Sequence, residues 1–299
     1  MTTEHESDGF QRAFKLAEEH KFDELLEHLR VDDPRYGRLV DTCVRDERLL
    51  PVCARAGVPA LEVIELLVEH GANKRYVFKS AAFNAQVGLL EAMCIRKWHS
   101  DDTYPDILTA AADGGAQLGN DSAVRDVFQW LTIARWKHFG GYRGYDEDAL
   151  CMLVEAFTDV LRGECVSTGD FIMNNVEYLG FDESTLKWKG ISLNIVEILV
   201  EDGAVKSLDF LCKRFGEDIL RIVEHVIEHG SSVDFYNTGT GWEWARHTEI
   251  ERWLKAKRIK DHKHHLMNAM ATLDTVKDRL PEGAFLQIVT SLQGAYKGM

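Results

Sequence analysis

The stretch Ile64-Glu65-Leu66-Leu67-Val68-Glu69-His70-Gly71-Ala72-Asn73 decides how this chain folds. Ile64, Leu67 and Val68 take positions 0, 3 and 4 of a helix, which puts three apolar side chains on one face. Gly71 follows where the helix would close through a left-handed residue, a backbone state that costs glycine little. The same pattern returns at Val196, Leu199, Val200 and Gly203, and at Val223, Val226, Ile227 and Gly230. Without the glycine it returns at Phe22/Leu25/Leu26, Leu90/Met93/Cys94, Val127/Trp130/Leu131, Phe157/Val160/Leu161 and Ile250/Trp253/Leu254. Eight copies between Phe22 and Ile250 give a mean period of about 33 residues, which predicts a stack of supersecondary units, each burying its face against its neighbours.

Working outward, segments of helical patterning alternate with short polar or glycine-containing breaks, and sustained period-two alternation is scarce. The expectation is an all-α chain with breaks around 32–36, 71–74, 100–105, 139–145, 168–170, 203–206 and 230–241. No Pro-, Gly- or Ser-rich linker divides it, so one continuous array is the simplest organisation.

At this point the residues resemble a family, the ankyrin repeats. The family's second helix is written V-x-x-L-L-x-x-G-A, to which Ile64–Asn73 and Val196–Ala204 are similar, and its first helix carries paired alanines like Ala81-Ala82 and Ala110-Ala111-Ala112 before Gly114. Ala245 to Leu254 is similar to the family's G-H-x-E-V-x-x-L-L, where large DNA viruses and some protists often write Trp-Leu, as Trp253-Leu254 does here. No copy has the family's T-P-L-H start and the spacing is irregular, which leaves the family's β-hairpin fingers, and a different helical-pair solenoid, open. The resemblance implies an all-α solenoid of ankyrin-like helix pairs over residues 10–258, after a tail at 1–9 and before a C-terminal helical cap at 259–299. It also implies a scaffold or adaptor that binds another protein or protein assembly without catalysis.

Composition narrows the function classes. The chain has 299 residues, of which 45% are hydrophobic and 28% charged, enough apolar content for a folded core. A formal net charge of −14 disfavours nucleic acid and anionic membrane surfaces, whose phosphates call for basic surface. The basic stretch from Arg246 to Lys263 reads as a solvated helix face. None of the six cysteines forms a Cys-x-x-Cys pair, which predicts reduced core residues, and the acidic start is unlike a signal peptide. With no apolar run near membrane-spanning length, the expectation is a cytoplasmic protein, with a virion or host-cell context open.

Candidate chemistry is sparse. His225-Val226-Ile227-Glu228-His229 spells H-x-x-E-H, the two-ligand helix of inverted zincin proteases, which makes a zinc-dependent hydrolase an alternative. Yet Val226 and Ile227 are the repeat's own apolar pair and Glu228-His229-Gly230 repeats Glu69-His70-Gly71, so the letters follow from the repeat. His262, His264 and His265 read as a solvated helix start, and the expectation is neither metal nor cofactor. The glycine-rich loop at 139–145 lacks the Lys-Ser/Thr of a phosphate loop. Tyrosine and arginine are enriched where interfaces are hottest, so Tyr76, Tyr104, Tyr142, Arg143, Tyr145 and Tyr236, at or near breaks, are the candidate partner-binding residues, with no small-molecule substrate implied.

In the tail, Leu266, Met270, Leu273 and Leu280 outline one amphipathic helix and Phe285, Ile288, Val289 and Leu292 a second, a hairpin suited to capping an array. Leu280-Pro281-Glu282 also looks like the opening of an F-box, which makes a ubiquitin-ligase substrate receptor a further alternative.

Overall fold

The computed structural model describes residues 4–30, 32–33, 37–100, 102–143, 147–181, 188–229, 250 and 252–258, together with positions 269, 271–272, 287–288 and 290. Among the described residues the regular structure is helical apart from a two-residue antiparallel pairing of Asp32 with Arg38 and Asp33 with Gly37 and a single bridge residue, Phe181. It divides into two compact units, Met1–Ile195 and Val196–Met299.

The first unit is a succession of helix pairs. They are α1 (Glu4–Glu18) with α2 (Phe22–Leu29), α4 (Leu49–Ala56) with α5 (Leu61–Glu69), and α6 (Lys74–Phe83) with α7 (Val87–Ile95). Then come α8 (Thr103–Leu118) with α9 (Asp121–Lys137), and α10 (Glu147–Arg162) with α11 (Val166–Asn174). A further short helix, α3 (Leu39–Asp46), packs on α1, α4 and α5. First helices pack on first helices, from α1 to α4, α6, α8 and α10, and second helices meet as α2 with α5, α7 with α9 and α9 with α11. In the second unit lie α13 (Val205–Phe215) and α14 (Glu217–His229), which pack together, and α12 (Trp188–Asp202) leads into it.

The apolar triads are the reason these helices pair. Leu25, Ile64, Leu67, Leu90, Met93, Val127, Leu131, Val196, Leu199, Val200 and Val223 are all buried, each side chain contributing roughly 1.5–3 kcal/mol of burial. Val68, Trp130, Ile227, Trp253 and Leu254 are half-buried, at the margins of their faces. Phe157, Val160 and Leu161 are buried too, but on the first helix of their pair, so the register slips there.

Helix ends follow one hydrogen-bond scheme. Gly71, at φ 99°, donates to Val68 O at 3.0 Å while Ala72 N–H reaches back to Leu67 O at 2.9 Å, which satisfies carbonyls the helix leaves open. The same long-range bond recurs from Lys21 to Leu16, Gln86 to Ala81, Trp98 to Met93 and Cys165 to Val160. There, however, the left-handed residue is His20, Ala85, Lys97 or Glu164, which the glycine pattern does not reveal. Helix starts are capped by Asn73, whose Oδ1 accepts from Arg75 N–H at 3.0 Å, and by Asn120, which accepts from Ala123 N–H at 3.3 Å.

The expected break at 168–170 is corrected. Those residues lie inside α11, and the chain turns at 163–165 instead. Asp121, from the start of α9, accepts from the backbone N–H groups of Ser167 and Thr168, each at 2.9 Å, so the polar run is a helix start capped from a neighbouring pair. Of the cysteines, Cys43, Cys53, Cys94 and Cys165 are buried as expected, Cys212 is half-buried, and Cys151 is exposed; all are free thiols. The expected break at 230–241 and nearly all of the tail at 259–299 lie outside the described residues.

Candidate functional site

A groove of about 480 Å³ crosses four consecutive first helices. Close approach of α6 and α8 depends on Gly114 of α8, where a Cβ would stand 2.0 Å from the backbone oxygen of Phe83 on α6. Between the helices lie Ser80, Thr109 and Ala110, small enough to leave the surface concave. Phe83, half-buried, and Tyr76, 41% exposed, supply aromatic surface.

Charge is sorted by helix. Arg55 of α4 and Lys79 of α6 supply cations, whereas Asp113 of α8 and Asp159 of α10 supply carboxylates. The Lys79 ammonium is held 3.1 Å from Asp106, a buried carboxylate that also accepts two bonds from the guanidinium of Arg75. Burial pushes the Asp159 carboxyl above its ordinary range; Arg162, 3.4 Å away, works against that shift, and the charges of Asp113 and Glu155 add to it.

The candidate residues from the sequence scatter. Tyr76 lines the groove. Tyr104 is a correction: it is fully buried, its hydroxyl donates to Leu179 O at 2.9 Å, and its ring stacks on Tyr142 with centroids 4.6 Å apart. It belongs to the core because the chain after α11 closes over it, a contact spanning 75 positions. Tyr142 is half-buried and Arg143 exposed, while Tyr145 and Tyr236 lie outside the described residues.

The loop after α9 is fastened by Arg135, 6% exposed, which donates to the carbonyls of Tyr142 and Glu177, the latter at 2.7 Å. Around this anchor Ile133, Trp136 and Tyr178 are 63%, 60% and 66% exposed, an apolar surface that the triad pattern passes over. Helical position signals it in retrospect, since Ile133 and Trp136 are one turn apart on α9 and off its buried face.

As for a metal, His225 is exposed on α14, and the side chains of Glu228 and His229 lie outside the described residues. Among the described residues no group of three or more His, Cys, Asp or Glu is placed to hold a metal ion, and no helix is long and apolar enough to cross a membrane.

In comparisons by sequence and by structure, no family model, no curated protein and no solved structure matched the chain.

Proposed function

We propose that this protein is a non-catalytic binding scaffold, in which the helix pairs of the first unit stack as an ankyrin-like solenoid and a protein partner lies in the groove over α4, α6, α8 and α10. The observation that carries the proposal is that groove. Its 480 Å³ is of ligand-binding size, and an exposed tyrosine, a half-buried phenylalanine and side chains of both charges converge there. A stack of pairs makes such a surface variable at little cost, because most of the first unit's buried triads lie on second helices while first helices line the groove.

Two-variant capture tests it. Tagged wild-type protein, Tyr76→Ala/Phe83→Ser and Ile133→Ala/Trp136→Ala are incubated with native extract, and retained proteins are quantified by mass spectrometry. The proposal expects a stoichiometric partner that survives the α9 substitutions and drops by roughly tenfold or more with the groove substitutions, the scale of losing a hot-spot residue. Retention unaffected by Tyr76→Ala/Phe83→Ser, in protein whose circular dichroism is unchanged, would place binding elsewhere and overturn it.

A further inference from the structure

Sorting of charge along the groove specifies what kind of segment fits. Resting on the groove as the binding surface, we infer that its occupant is an extended peptide segment that places a lysine or arginine side chain between Asp113 and Asp159 and an acidic side chain beside Arg55. Asp113 and Asp159 face the same concavity from neighbouring helices, and Glu155 lies one turn before Asp159 on α10. Burial works against ionisation of Asp159, Arg162 at 3.4 Å offsets only part of it, and repulsion from Asp113 and Glu155 adds to it. Asp113 already accepts from Gln117 Nε2 at 2.9 Å and Asp159 from Arg162, which leaves one net negative charge on these three charged groups. An ammonium or guanidinium group entering here offsets it and gains charge-assisted hydrogen bonds, whereas a neutral side chain strips water from the remaining lone pairs without that gain.

At the other end the two cations are not equivalent. Lys79 is tied in place by Asp106, whose single charge it shares with Arg75, so this cluster keeps a net positive charge on a fixed ammonium. Arg55 is exposed and has no ion-pair partner among the described residues, so its five donors are available to an incoming carboxylate. Between these ends Tyr76 and Phe83 offer ring surface to the aliphatic stem of a long cationic side chain. Nucleic acid is disfavoured by the same geometry, because a phosphate chain would have to cross the carboxylate end. A peptide that alternates charge along its length matches both ends, and an extended strand advances about 3.3 Å per residue, so a few residues cover several side-chain positions.

Selection from a random displayed dodecapeptide library, run in parallel on the wild-type full chain, Asp113→Asn/Asp159→Asn and Tyr76→Ala/Phe83→Ser, tests this. Wild-type protein is expected to enrich peptides with Lys or Arg upstream or downstream of an Asp or Glu. A synthetic peptide of the selected sequence should bind roughly tenfold or more weakly to Asp113→Asn/Asp159→Asn, and likewise when its basic residue is replaced by norleucine. Raising salt from 50 to 500 mM should weaken wild-type binding by a similar factor and weaken the Asn variant less, because only the pair at Arg55 is left to screen. Peptides that need Tyr76 and Phe83 but show neither basic enrichment nor sensitivity to the Asn substitutions would overturn the charge assignment while leaving the groove in place. Peptides indifferent to all four positions would overturn both.

Discussion

Glu91 shows how a single side chain ties two helix pairs together. From α7 its carboxylate accepts from Trp130 Nε1 at 3.0 Å, lies 3.1 Å from His138 Nε2 and pairs with the Lys137 ammonium, all three at or just past the end of α9 or within it. Burial alone would push this carboxyl up, but the bonds from Lys137, Trp130 and His138 more than reverse that, and it is held down to about 2. Its folded value is thus below its unfolded one, near 4.5, so its stabilisation is complete above the unfolded value and is lost as pH falls toward about 2. Wild-type protein should therefore lose melting temperature between pH 5 and pH 3 more steeply than Glu91→Gln, in which this contribution cannot titrate. Parallel slopes in calorimetry across that interval would show that the cluster adds nothing to folding. Nothing in the triad pattern announces Glu91, since its partners sit roughly 40 positions away and only the packing of α7 on α9 brings them within reach.

At the scale of helices, the apolar spacing was legible because position along a helix alone decides which face a residue takes. Leu67, Met93 and Leu199 are buried for that reason, and Gly71 is left-handed because its neighbours' hydrogen bonds demand it. Other boundaries were not legible. Ala85 and Glu164 turn the chain in a conformation that side chains rarely adopt, and the polar start of α11 depends on Asp121 from a different pair. The groove was hidden for a related reason: Arg55 and Asp159 are over a hundred positions apart, and only the stacking of first helices puts them along one concavity. Tyr76, chosen for its residue type, lines the groove, whereas Tyr104, chosen in the same way, is buried in the first turn of α8, because a tyrosine next to a polar stretch carries no sign of what will close over it. The small residues between first helices yield a direct test. Gly114→Ala would set a methyl 2.0 Å from Phe83 O, with Phe83 C and Cα within 2.9 Å, so α6 and α8 must part. Overpacking of this kind costs about 1–3 kcal/mol, or a fall of roughly 2–4 °C in Tm for each kcal/mol in a unit of this size. An exposed control on α9, Gln129→Ala, should stay within about 0.5 kcal/mol of wild type. Equal shifts for the two would mean that the α6–α8 approach is not tightly packed.

Across the whole first unit, the decisive property is that the principal contacts of each helix pair among the described residues are with the pairs next to it. α1 and α2 pack on α4 and α5, while α10 and α11 pack on α8 and α9, and the principal contacts join one pair to the next. A single central core would transmit a defect everywhere, whereas the linear stack proposed above makes stability close to a sum of pair and interface contributions, so that a defect stays near its origin. Leu25 on α2 and Leu161 on α10 are both fully buried, and truncating either to alanine costs about 2–5 kcal/mol. Native-state hydrogen exchange followed by mass spectrometry reads where that loss falls. In Leu25→Ala, exchange should accelerate in α1, α2, α4 and α5 and remain at wild-type rates in α9, α10 and α11; in Leu161→Ala the pattern should reverse, with α8 to α11 accelerated and α1 and α2 unchanged. Uniform acceleration through Met1–Ile195 by either substitution would mean that the unit unfolds as one body, and the stacked-pair account of how its groove is built would fail. The two variants also separate binding from folding, because the groove spans α4 to α10: a partner that requires all four helices should be weakened by Leu161→Ala, which loosens α8 and α10, more than its distance from Tyr76 would suggest.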